Sequence, residues 1–171
     1  EMVAAPGHTL VQKLVYLLQE AEGLPFGYRF RLYYYGPYCA ELWGDLNTLA
    51  ELGYLTVEAK EGGWGYEIAT TDLGRELVAE YQGFLAQFGP RIGAVLELLG
   101  GEPVRRLEVL ATTFYVFRDR ERKGLDTRDS FLIDGVRDLK PHLRPEEVSR
   151  ALDQLRSRGL LQDGNAERWT P

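Results

Sequence analysis

Two stretches of this chain follow the same sequence of local signals, and together they restrict the fold more than anything else in the sequence. One is "GPYCAELWGDLNTLAELGYL"; the other is "KPHLRPEEVSRALDQLRSRGLL". Each has a proline, a helix with leucine-type spacing, L-x-x-x-G-hydrophobic-Leu, and then a segment that can alternate as a hairpin. Glycine at the helix end supplies the left-handed backbone that stops it, and period-two alternation then reads as strand. An amphipathic helix precedes each, around Leu14, Tyr16 and Leu17 in one case and Leu107, Leu110 and Phe114 in the other. A helix that ends in glycine and runs straight into a glycine-tipped hairpin is the winged-helix pattern. The expected fold class is therefore mainly α with small β-hairpins, in tandem winged-helix-like units.

The elements are expected as follows. Thr9 and Gln12 have the spacing of a capping box, opening a helix that buries Leu10, Leu14, Leu17, Leu18 and Ala21. "YRFRLYYY" alternates, with Tyr28, Phe30, Leu32 and Tyr34 toward a core, and reads as a strand that Gly36-Pro37 stops. A helix from Cys39 to about Leu52 turns Leu42, Leu46, Leu49 and Leu52 inward, and Gly44 within it implies a close packing neighbour. Residues 55–59 and 66–68 form a hairpin across Glu61–Gly65. Thr70 or Thr71 caps a long helix over 71–88, which Gly89-Pro90 breaks. Helices then follow over 91–99, 104–122, 127–139 and 145–158, with Pro145 at a first helical position. "LLQDGNAERW" closes as a short hairpin. The expected units are 1–88 and 89–171.

With 44% apolar residues the chain can build a core. No apolar run approaches the roughly 20 residues needed to span a bilayer, and the first ten residues do not read as a secretory signal. The lone Cys39 suits a reducing cytoplasm. The net charge of −6 is unevenly spread: residues 1–100 carry 6 Lys/Arg against 13 Asp/Glu, residues 101–171 carry 14 against 13. A polyanion is repelled by the first half and tolerated by the second.

"GHTLVQKLVYLLQ", "YYYGPYCAEL" and "LAELGYL" together resemble the uncharacterised bacterial and archaeal YwgA-type family. More distantly, Lys13-Leu14-x-Tyr16 and Tyr35-Gly36-Pro37 are similar to the Panacea domain of SocA-like antitoxins, over the first half only. The chain departs from the family pattern at His8, where Arg is favoured, and at Cys39, where Ser would cap a helix better. The resemblance implies a winged-helix-like fold and transfers no catalytic residue.

No catalytic constellation, cofactor motif or metal-ligand spacing emerges. Ser130, Ser149 and Ser157 lie in no nucleophile motif; His8 and His142 are isolated; the glycines at 62, 63 and 65 lead into no helix. The expectation is a non-enzymatic regulatory protein, a homodimer in a prokaryotic cytoplasm, with no cofactor. Two functions compete. One is a transcription regulator whose second unit binds DNA, with Arg150 and Gln154 toward bases and Lys140, Arg144, Arg156 and Arg158 toward phosphates. Helix 39–52, exposing Glu41, Asp45 and Glu51, is a poor DNA reader. The other is an antitoxin-like or adaptor module that binds a protein through an aromatic surface. Its candidates are Tyr33, Tyr35, Tyr38, Trp43, Tyr81, Phe84 and Phe88, of which Tyr81, Phe84 and Phe88, or the Tyr33/Tyr35 face, would serve a dimer. Against a platform stands the plainer reading that these tyrosines pack with wet hydroxyls, which the sequence alone favours.

Overall fold

The computed structural model describes residues 7–60 and 65–161. The protein is mainly helical, with two small antiparallel hairpins. The chain divides into two compact units, residues 1–107 and 108–171.

The first unit begins with α1 (His8–Glu20), followed by a hairpin of β1 (Arg31–Tyr33) and β2 (Gly36–Tyr38). Then come α2 (Ala40–Glu51), the hairpin β3 (Leu55–Ala59)–β4 (Tyr66–Thr70), α3 (Asp72–Glu80) and α4 (Gln82–Leu99). Cys39, Leu42, Leu46 and Ile68 form one core cluster, with Val11, Val15, Tyr28, Phe30, Trp43, Leu55 and Val57 packed on it. Further side chains of α1 and α4 are buried, among them Leu17, Val95, Leu98 and Leu99. These two helices pack together, and Arg91 of α4 donates to the Glu22 carbonyl at 3.0 Å.

Several expectations fail here, each for a local reason. Gly36-Pro37 does not stop a strand: it is strand β2, with Leu32 opposite Pro37 and Tyr33 opposite Gly36. The chain reverses through Tyr34-Tyr35 and closes because Gly36 takes φ 89°. Tyr34 therefore sits at a hairpin tip, 73% exposed, and not in the core. The helix expected over 71–88 is interrupted at Tyr81 (φ −99°, ψ 29°). Pro90 lies inside α4 and does not break it. An interior proline costs a helix about 3 kcal/mol, and the burial of Val95, Leu98 and Leu99 beyond it outweighs that. Leu52, expected inward, is exposed; the interface candidates Tyr81 and Phe84 are exposed too, together with Leu73 and Val78. A Cβ on Gly44 would meet nothing within 4 Å, so no close neighbour explains that glycine.

The second unit holds the greater part of α5 (Val104–Arg122) with α6 (Asp129–Leu139) and α7 (Pro145–Ser157). Phe114, Phe117, Leu132, Val136, Leu143, Val148, Leu152 and Leu155 are buried in it. Arg156 of α7 bridges to Asp129 of α6, its Nη1 3.0 Å from Oδ2. Helices α2 and α7 end alike: Tyr54 N–H donates to the Leu49 carbonyl and Leu160 N–H to the Leu155 carbonyl, both at 2.9 Å. Gly53 (φ 81°) and Gly159 (φ 69°) make that possible. The same cap closes α5 at Gly124, so it is a general stop, not a mark of duplication. The hairpin expected after Gly159 and the tip at 61–64 lie outside the described residues.

Candidate functional site: an aromatic cleft strapped to the first helix

The site is built by α1 acting as a neighbour for backbone that has no strand beside it. Gln12 is buried, and its amide pairs with both backbone groups of Cys39: Nε2 donates to the carbonyl and Oε1 accepts from the N–H, each at 2.9 Å. Gln19, two turns on, does the same for Tyr28, with both bonds at 2.8 Å. Lys13, also buried, donates from Nζ to the Pro37 carbonyl at 2.7 Å. These bonds satisfy groups that would otherwise be stranded without water and hold the β1–β2 hairpin against α1. Gln12 is thus no capping-box partner. The helix starts at His8 after Gly7 with no side-chain cap, because the amide is better used on Cys39. Leu10 and Leu14 are only half-buried, while Gln12 and Lys13 are covered almost completely.

Between α1 and the hairpin lies a cleft of about 250 Å³, lined by His8, Thr9, Gln12, Lys13, Tyr33, Tyr35, Gly36 and Tyr38. Its rim is aromatic. The Tyr33 and Tyr38 rings are 5.6 Å apart, His8 meets Tyr38 edge-on at 5.7 Å, and His8 lies 4.2 Å from Trp43, which lies 5.0 Å from Tyr66. Tyr33 and Tyr35 are more than half exposed. Burial, and then the Lys13 charge, hold the His8 pKa below its ordinary 6.5, so the ring is neutral at neutral pH. Burial raises the Tyr38 hydroxyl, so it remains a donor. Behind the rim, Tyr28 donates to Asp45 at 2.7 Å and ties the segment before β1 to α2.

Of the aromatic candidates, the structure brings Tyr33, Tyr35 and Tyr38 to one cleft and joins Trp43 to it through His8. Tyr81, Phe84 and Phe88 lie apart from it in sequence order, between α3 and the first turns of α4, with Phe84 and Phe88 4.6 Å apart. His8, Thr9, Gln12 and Lys13 were not among the expected site residues. The available signal was a polar pair, Gln12-Lys13, inside an otherwise leucine-rich helical stripe, repeated by Gln19 seven residues on. Cys39 is buried and packed.

The cationic candidates are more occupied. Lys140 is buried, 3.5 Å from Glu108, a carboxylate that His142 also approaches at 3.2 Å. Arg144 lies 3.3 Å from Glu147, which also accepts its backbone N–H at 2.9 Å. Arg156 is held by Asp129. Arg150 and Arg158 are exposed and Gln154 is half-buried. Other cations of the second unit are paired with nearby acids: Arg118 with Glu121, Lys123 with Asp119, Arg128 with Asp126. Among the described residues no helix is long and apolar enough to cross a membrane, and no group of three or more His, Cys, Asp or Glu is placed to hold a metal ion.

No protein-family model matches the chain. It is similar to the uncharacterized protein YwgA of Bacillus subtilis (strain 168), with 26% identity over 121 residues that span 68% of this chain and 70% of that protein. That likeness supports the YwgA-type family reading drawn from the α1 and Tyr-Gly-Pro motifs, and it does not extend to the Panacea domain.

Proposed function

We propose that this protein is a non-enzymatic interaction module that binds a protein partner through the aromatic cleft of its first unit. The observation that carries the reading is the cleft itself. Two exposed tyrosines, Tyr33 and Tyr35, stand over a floor of Gln12 and Lys13 whose hydrogen bonds lock the hairpin in place. Tyrosine and tryptophan on a rigid frame give large contact area at little entropic cost, which is why they dominate protein-binding hot spots. An antitoxin-like or adaptor role fits such a surface. DNA binding through the second unit has less support, since Lys140, Arg144 and Arg156 already face carboxylates, and phosphate affinity depends on available cations.

The order α1, α2, β3–β4 supports a winged-helix-like reading of the first unit. Assembly as a homodimer belongs to the proposal. Leu73, Val78, Tyr81 and Phe84 are exposed apolar side chains along α3 and the start of α4, and a twofold interface pairs one patch with its own copy. A cytoplasmic setting also belongs to it, resting on the lone thiol of Cys39.

The test uses wild type, Tyr33→Ala/Tyr35→Ala and Arg150→Ala/Arg158→Ala. Each is used to isolate partners from source cells, and any complex is rebuilt from purified components. The tyrosine variant is expected to lose the partner and the arginine variant to keep it. A wild-type shift of random duplex DNA at about 50 mM salt, abolished in the arginine variant, would instead favour the regulator.

A further inference from the structure

The cleft has a chemical character beyond its aromatic rim. In a chain of net charge −6, none of its described lining residues is acidic, and Lys13 is the formal cation among them. The remaining polar groups are mostly able to donate: the Thr9 hydroxyl and the hydroxyls of Tyr33, Tyr35 and Tyr38, beside an imidazole kept neutral. Arg31 is exposed on the same side of β1 as Tyr33, two residues away, and stands opposite Tyr38 in the ladder. The arrangement has depth: Gln12 and Lys13 are 1% and 2% exposed, while Tyr33 and Tyr35 are 58% and 54% exposed. A cleft of about 250 Å³ is below the roughly 300–1,000 Å³ that takes a whole drug-sized ligand, so it suits one residue and its end group.

Resting on the partner-binding reading above, we infer that the cleft captures the C-terminal residue of the partner, its carboxylate toward Lys13 and Thr9 and its apolar side chain against Tyr33, Tyr35 and Tyr38. A carboxylate only accepts hydrogen bonds, and a lining of Thr9 and tyrosine hydroxyls with one ammonium matches it. A chain end can enter a small cleft that an internal residue, with chain leaving in both directions, cannot fill to the floor. A single carboxylate also tolerates the acidic surroundings of the first unit, which a polyanionic nucleic acid would not.

The probes are three peptides, acetyl-Ala-Ala-Phe with a free carboxylate, the same peptide as its C-terminal amide, and acetyl-Ala-Asp-Phe amide, which moves the carboxylate inside the chain. Binding is followed by amide resonances of Gly36 and the Gln12 side chain. The acid is expected to bind about tenfold or more tightly than either amide, the worth of one charged hydrogen bond. Lys13→Met should bring the ratio near one, with folding checked by its thermal melt. Tyr35→Ala, which leaves the buried floor in place, should weaken acid and amide by the same factor.

Equal binding of acid and amide, still sensitive to Tyr35→Ala, overturns the carboxylate inference and leaves the aromatic partner surface standing. Equal binding of the acid and the internal aspartate peptide overturns the terminus. No shift at Gly36 or Gln12 with any peptide, or shifts there with single-stranded oligothymidylate alone, overturns the inference as a whole. The partner-retention experiment decides the broader reading separately.

Discussion

Two glycines thirty residues apart, Gly44 and Gly74, show how little a residue type says without its surroundings. Gly74 lies in the first turn of α3, where an added Cβ would stand 2.1 Å from the Tyr54 carbonyl oxygen. Backbone cannot yield there as a flexible side chain could, so Gly74→Ala is expected to destabilise the protein by about 3 kcal/mol in denaturant melts. Gly44 in α2 faces open space at helical dihedrals, and Gly44→Ala is expected to stabilise by up to about 1 kcal/mol. A destabilised Gly44→Ala would mean that a neighbour packs against that position in the folded protein. His8 supplies a pH dependence. Its folded pKa lies below 6.5 because burial and Lys13 disfavour the charged ring. Below pH 6.5 the unfolded chain takes up a proton that the folded protein refuses, so stability present above 6.5 is lost as pH falls through the depressed value. The melting temperature of wild type should drop between pH 7.5 and 5.5 by more than that of His8→Gln. Parallel curves would remove His8 as the cause.

At the scale of elements, α1 is the organiser of the first unit. Its register of Gln12 and Gln19 fastens the chain on both sides of β1, at Tyr28 and Cys39. Gln12→Leu keeps the volume and removes the amide, which strands the Cys39 N–H in a buried site. The expected loss is about 2–3 kcal/mol, with faster hydrogen exchange at Cys39 and a loosened cleft. Gln19 is only half-buried, so Gln19→Leu should cost less. If Gln12→Leu exchanged no faster at Cys39 than wild type, the strap would not be what orders the hairpin. Much of this layer was legible beforehand. The helices α1, α2, α5, α6 and α7, the β3–β4 hairpin, the Thr71 cap on Gly74 N–H at 3.1 Å and the Gly53 and Gly159 stops follow from local rules. The β1–β2 hairpin was not, because its tip has two tyrosines where turn residues are expected. Only Gly36, on its far side, carries the reversal.

For the whole molecule, the exposed apolar side chains Leu73, Val78, Tyr81 and Phe84 are expected to bring two copies together. Light scattering should give the mass of two chains at micromolar concentration, and Tyr81→Glu/Phe84→Glu should return it to one. A wild type of single-chain mass throughout that range removes the dimer from the proposal. Sequence periodicity had turned Leu52 inward, and it is exposed, since a hydrophobic pattern marks a face but does not say what covers it. What the sequence determined by itself is therefore what depends on near neighbours along the chain: helical periods, glycine stops, the β3–β4 alternation and the acidic tilt of the first hundred residues. Tertiary structure alone decided which faces are covered, that Pro90 is tolerated inside α4, that Lys140 and Arg156 face carboxylates, and that Gln12 and Lys13 meet a hairpin more than twenty residues away. Those outcomes rest on burial and on hydrogen bonds between distant segments. Their free energies exceed the local preferences they override, and no window of neighbouring residues contains them.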